Sequence, residues 1–342
     1  MGQMMKMPNL RKIIQFSLLS IGLLVMAFSI LMVVAPFRRA PSEVKIKNGA
    51  TLSSVSRDLR AANVIPSSKI FALYMRLAGA ERAIKPGTYI FEPSLPPYEV
   101  ARKLIRGDTI ALKVMIPEGR TARQIAQILE SQKIVDASAF LAAVNDPVLT
   151  EKLGIPAKSS EGYLFPDTYF FEPGSDAEQI VVQMVANFRA AMKKIAGEKQ
   201  DTLNAQALYE KVILASMIER EYRVPEDAPL IASVFVNRLS KNMPLQSCAT
   251  VVYVLTEHLG RPHPSIVYYN DLRVKDPYNT YLNRGLPPGP ISNPGEVSLK
   301  AALFPSKTDF LYFRLDDSSS GKHRFSRTLQ EHNEAGIIPK GL

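Results

Sequence analysis

Residues 44–65 read VKIKNGATLSSVSRDLRAANVI, and residues 114–135 read VMIPEGRTARQIAQILESQKIV. Set 70 positions apart, Gly49 falls on Gly119, Thr51 on Thr121, Val55 on Ile125 and Leu59 on Leu129. In each copy a short alternating run predicts a strand and the Gly a turn. The Thr then predicts a helix cap, and apolar residues three and four apart predict an amphipathic helix. Strand and helix follow each other within one short unit, so the expected class is α+β.

Strand–turn–helix units commonly look alike, which leaves two readings of the repeat. One is coincidence of shape. The other is a small carbohydrate-binding module of the LysM type, placed at 41–109, with a second related copy after it. The segment 86–98, PGTYIFEPSLPPY, predicts a strand and then a proline-rich connection. The remainder, 110–342, is expected to be a mixed α/β domain.

Upstream, residues 13–37 read IIQFSLLSIGLLVMAFSILMVVAPF without a charge. As a helix this run is about 37 Å long, enough to cross a hydrocarbon core of about 30 Å. A cleavable signal has a shorter apolar region, about 7–15 residues. The expectation is a single transmembrane helix behind a cytoplasmic tail at 1–12. Lys6, Arg11 and Lys12 precede it and Arg38 and Arg39 follow it, so charge alone does not orient it. The short tail favours the bulk of the chain on the extracytoplasmic side. The net charge of the 342 residues is +10. Residues 1–47 hold seven Lys and Arg against Glu43, which is six of those ten charges. The rest is nearly balanced, which argues against a nucleic-acid partner.

Downstream, the apolar spacing between about 137 and 215 is helical, interrupted by KSSEGYLFPDTYFFEP at 158–173. A helix begins at Pro225 and runs to about Leu239. Seven prolines between 261 and 296 predict a long irregular stretch, usually a functional one.

Several chemistries are excluded. There is no GxxxxGK[ST] loop, GxGxxG turn, GxSxG elbow or HExxH helix. The four histidines lack ligand spacing, and Cys248 is the single cysteine, so no metal site, cofactor or intramolecular disulfide is expected. ALYEKVILASMIEREYR at 207–223 predicts a helix ending before Pro225. Glu219 and Glu221 would lie about 200° apart on it. Glu221 ends the bulkier stripe, after Leu214, Met217 and Ile218. A carboxyl against apolar walls stays protonated to higher pH, as a general acid must. A glutamate at a helix end is far more often a solvated surface residue. Gln246, Thr250, Tyr253, Asn279 and Tyr281 are candidates to line a cleft, and each is equally a structural hydrogen bonder. Glu161 and Asp167 are candidates at its edge, though Asp167 before Thr168 also suits a turn or cap.

ASMIEREY at 215–222, SVFVNRL at 233–239, LQSCATVVY at 245–253, YNTY at 278–281 and GLPPGPISNPG at 285–295 resemble the endolytic murein transglycosylase family (YceG-like). SLKAAL at 298–303, FLYF at 310–313, HRFSRTLQEHN at 323–333 and EGYLFPDTY at 161–169 extend the resemblance. With the anchor and the LysM-like module it covers nearly the whole chain. One departure is local: the family typically has Asp-Pro where this chain has Cys248-Ala249. The resemblance implies a lysozyme-like cleft whose catalytic glutamate falls on Glu221. It implies cleavage between N-acetylmuramic acid and N-acetylglucosamine without water, leaving 1,6-anhydro ends and terminating nascent strands at the membrane. Peptidoglycan strands, the membrane and cell-wall synthases would be the partners. A hydrolysing muramidase and a non-catalytic peptidoglycan-binding scaffold are the alternatives.

Overall fold

The computed structural model describes residues 19–28, 30, 40–197, 204–316 and 320–334. The expected membrane span at 13–37 lies largely outside them. Residues 19–28 and 30 are helical. Among the described residues no helix is long and apolar enough to cross a membrane. The chain divides into two compact units, Met1–Leu112 and Lys113–Leu342.

In the first unit, β1 (Ser42–Ile46) pairs antiparallel with β2 (Gly87–Phe91), Val44 opposite Tyr89. Two helices connect them, α1 (Leu52–Ala61) and α2 (Ser68–Leu77), and α3 (Pro97–Arg106) follows. Thr51 caps α1 by accepting from the Ser54 N–H, and Ser67 caps α2 by accepting from Ile70. Each bond satisfies one of the orphan donors of a first helical turn. Leu59, Phe71, Met75, Tyr89 and Leu104 fill the core.

The second unit opens with a related order that has one helix more between its paired strands: β3 (Leu112–Met115), α4 (Ala122–Ser131), α5 (Ala137–Val144), α6 (Pro147–Lys152) and β4 (Thr168–Phe171), which pairs with β3. The correspondence extends to the backbone geometry of the two windows. Gly49 and Gly119 turn with φ of 74° and 71°, where a side chain would be strained. Asn63 and Lys133, again 70 apart, have φ of 54° and 58°. Beyond them the Val64 N–H donates to Leu59 O at 2.8 Å and the Ile134 N–H to Leu129 O at 3.0 Å. Both helices therefore end in the same left-handed cap.

The second unit continues with α7 (Ala177–Ala196), α8 (Ala205–Glu219), α9 (Ala228–Ser240), α10 (Cys248–Tyr253) and α11 (Glu296–Leu303). An antiparallel hairpin, β5 (Tyr312–Leu315) with β6 (His323–Ser326), and α12 (Leu329–Glu334) complete it. Val212 through Ile218 are all buried. A helix apolar on every side must be surrounded, and α9 and α11 pack against α8. Between Gly260 and Gly295 the only helical segment is a 3-10 turn at Asp271–Arg273, consistent with a proline-rich stretch that lacks ladder donors.

One expectation is corrected. The helix carrying the two glutamates stops at Glu219, with Arg220 as its cap. The Glu221 and Tyr222 N–H groups both donate to Ile218 O, at 3.0 and 3.1 Å. Glu221 thus stands on a turn, and helical rotation does not set its direction.

Candidate active site

That turn delivers Glu221 into a cleft of about 540 Å³, which Gln246, Cys248 and Tyr281 also line. Two chain segments are pinned together beneath it. The Gln246 N–H donates to Thr280 O at 3.1 Å and the Ser247 N–H to Thr280 Oγ1 at 3.1 Å. Thr250 Oγ1 lies 2.8 Å from Ser247 O and 2.9 Å from Thr280 Oγ1. So held, the buried Ser247 hydroxyl donates to Glu221 Oε1. Burial pushes the Glu221 carboxyl above its ordinary pKa, while Ser247, the Ala249 N–H and the Arg220 guanidinium pull it down. Burial prevails, so this carboxyl keeps its proton to higher pH than a free glutamate. It meets the electrostatic requirement of a general acid.

Gln246 has φ of 55°, a costly conformation outside glycine and the small amides. Its Oε1 accepts from Arg238 Nη1 at 3.1 Å, which leaves the amide NH2 for the cleft. Arg238 also donates to Leu311 O, Pro244 O and Leu245 O and lies over the Tyr312 ring at 4.9 Å. Tyr281 Oη is 3.0 Å from Cys248 Sγ.

The other anticipated residues stand elsewhere. Thr250 and Asn279 are fully buried behind the cleft wall. The Asn279 amide donates to Leu272 O and Val274 O at 3.0 and 2.8 Å, and its Oδ1 accepts from the Tyr281 N–H. It shapes the loop that presents Tyr281. Tyr253 and Glu161 line a separate cavity of about 610 Å³ with Tyr209 and Tyr278. Both Glu161 oxygens accept from the Ala122 N–H, at 3.0 and 2.9 Å, and one from Asn293 Nδ2 at 2.6 Å. Burial pushes its pKa up to about 8. Asp167 is exposed and accepts from Thr168 N and Asn187 Nδ2, so it is a turn residue and not a second acid beside Glu221.

Glu219 is also accounted for. Its Oε2 accepts from the Gly295 N–H at 2.9 Å and from Ser298 Oγ at 2.7 Å. It caps α11, whose own N-cap, Gly295, has no side chain to do so.

The sequence reading missed Ser247, Arg238 and Asn293. The signal for all three was their place inside the motifs SVFVNRL, LQSCATVVY and GLPPGPISNPG. Asn293 donates to Arg120 O and Glu161 and accepts from the Gly162 and Leu164 N–H groups, joining three loops in one buried amide. Among the described residues no group of His, Cys, Asp or Glu is arranged to hold a metal ion.

Comparisons with known proteins converge on one family. A model described as the YceG-like family matches residues 44–336. A Bacillus subtilis protein named endolytic murein transglycosylase is 34% identical over 308 residues, covering 85% of this chain and 83% of that protein. A Streptococcus pneumoniae protein of the same name is 30% identical over 323 residues, and the match covers 85% of this chain and 57% of the relative. Among solved structures, a yceG-like protein of Listeria monocytogenes is 36% identical with a TM-score of 0.56, covering 87% of this chain and 99% of that one.

Proposed function

The chain belongs to the YceG-like family, and we propose that it is a peptidoglycan lytic transglycosylase that cuts glycan strands internally with Glu221 as its single acid and base. The observation that carries this reading is the cleft's acid–base inventory. Among the described residues lining it, Glu221 is the one carboxylate. A conventional glycosidase uses two, about 5 Å apart for retention or roughly 6.5–9.5 Å for inversion.

One carboxyl suffices if its two tasks come in sequence. Protonated Glu221 gives its proton to the oxygen joining C1 of N-acetylmuramic acid to C4 of N-acetylglucosamine. The C1–O bond breaks and the N-acetylglucosamine end leaves as an alcohol. The muramic acid C6 hydroxyl then closes on C1, and the Glu221 carboxylate takes its proton. No water is consumed, and the acid is regenerated. Ser247 steadies the carboxylate between the steps. Gln246 and Tyr281 supply amide and aromatic contacts to the sugars.

The same reading puts a membrane anchor at 13–37, the catalytic unit on the extracytoplasmic side, and a LysM-like module at 41–109 that orients glycan. The enzyme would then release nascent strands near the membrane and stop their elongation. The strand–helix–helix–strand order from β1 to β2 supports a module of that kind, and its relative from β3 to β4 carries one further helix, α6. Mass spectrometry of strands digested by the full chain tests the activity. Anhydro ends support it, reducing ends point to a hydrolase, and intact strands point to a scaffold.

A further inference from the structure

The cleft around Glu221 carries a charge excess that acid–base chemistry does not explain. Arg220, Arg223, Arg238 and Arg314 line it, against one carboxyl. Two of these are engaged. Arg238 is spent on four carbonyl oxygens, one of them the Gln246 amide. Arg220 donates to Gly119 O at 3.1 Å and lies beside His263. The guanidiniums of Arg223 and Arg314 have no hydrogen-bond or ion-pair partner among the described residues. Arg314 is partly buried, where an unpaired guanidinium is costly to keep. Near them, His332 stacks on Tyr312 at 5.3 Å with its Nδ1 buried and unpartnered. Leu315 and Leu329 complete this side of the cleft.

Resting on the proposed function, we infer that Arg223 and Arg314 bind the carboxylates of the stem peptide, making peptide-bearing strands the preferred substrate. The substrate's own chemistry requires proximity. The stem peptide hangs from the lactyl group on C3 of the same muramic sugar whose C1 bond is cut, so it must leave the reacting centre within a few bonds. A short peptide of acidic groups and alanyl methyls matches two free guanidiniums beside the exposed Leu329 and the half-buried Leu315. Guanidinium pairs with carboxylate through two parallel hydrogen bonds, and the pairing removes the isolated charge of Arg314.

The test uses the full chain and uncrosslinked, lipid-free glycan strands in two forms, with stem peptides intact or stripped by an amidase. Without lipid, no pyrophosphate can contribute. Release of new ends is followed as a function of strand concentration for wild type, Arg223→Gln, Arg314→Gln and Arg314→Lys. The wild type is expected to cut peptide-bearing strands at least tenfold better at low concentration. Each Gln variant should lose about tenfold on those strands through KM, as expected for one charged hydrogen-bonding group, and Arg314→Lys should recover part of the loss. Equal cutting of both strands by the wild type would overturn the inference and leave the proposed function standing. So would Gln variants that slow both strands alike. Wild type that cuts neither strand would overturn the underlying function as well. Arg223 is exposed, so its variant keeps the test decisive if Arg314→Gln does not fold.

Discussion

Glu219 accepts a 2.7 Å hydrogen bond from the Ser298 hydroxyl, and with the Gly295 N–H this fastens the end of α8 to the start of α11. Two residues later, Glu221 has left the helix and faces the cleft. In the proposed mechanism the two carboxyls are divided between structure and chemistry. Glu219→Ala leaves a backbone N–H and a hydroxyl without an acceptor in a part-buried site. Chemical denaturation should show a loss of about 1–3 kcal/mol. The molecules that remain folded should still cut strands, and complete loss of cutting with an unchanged stability would contradict this assignment.

Ser247→Ala removes a donor that favours the charged form of Glu221. The carboxyl pKa should then rise further above its already raised position. An acid works while protonated, so the fall of kcat/KM on the alkaline side should move to higher pH. Ala249→Pro, which deletes the N–H that also favours the carboxylate, should move it the same way. A pH–rate profile checks both, and an alkaline limb displaced to lower pH would be the wrong sign.

Glu161 carries a pH signature for the fold. Its folded pKa, about 8, is above the ordinary carboxyl value of about 4.3. A raised pKa stabilises the fold fully below the unfolded value, and the contribution fades as pH rises toward the folded one. Melting temperature should therefore fall between about pH 4.5 and 8, with Glu161 contributing to the slope. Glu161→Gln keeps an acceptor for the Ala122 N–H without the titration. Its melting curve should be flatter across that range, and an unchanged slope would exclude Glu161 as the source.

The repeated unit was legible because its signals are local. Glycine at a left-handed turn and threonine three residues before the N–H it caps mark positions regardless of the rest of the chain. Glu221 was legible only in part. Its neighbourhood followed from the apolar run ending at Ile218, but that run implied a longer helix, and the turn at Arg220 has no glycine or proline to announce it. Asn279 illustrates what stays hidden. A buried amide bonding carbonyls five and seven residues back leaves no periodic trace, and the same amide in a cleft would read identically. Ser247 is held in place by Thr280, a residue far along the chain that only the folded loops bring to it.

The most direct measurement is release of 1,6-anhydro ends by Glu221→Gln, with thermal melts as the folding control. The amide is nearly isosteric, can still accept from Ser247, and can neither donate the leaving-group proton nor take the C6 proton. General acid–base assistance is typically worth about 10²–10⁴-fold, and one group here supplies both halves. The expected result is a folded protein whose release falls by at least the top of that range, while folded Glu219→Gln still cuts. A folded Glu221→Gln that releases anhydro ends at a near-normal rate would contradict the account.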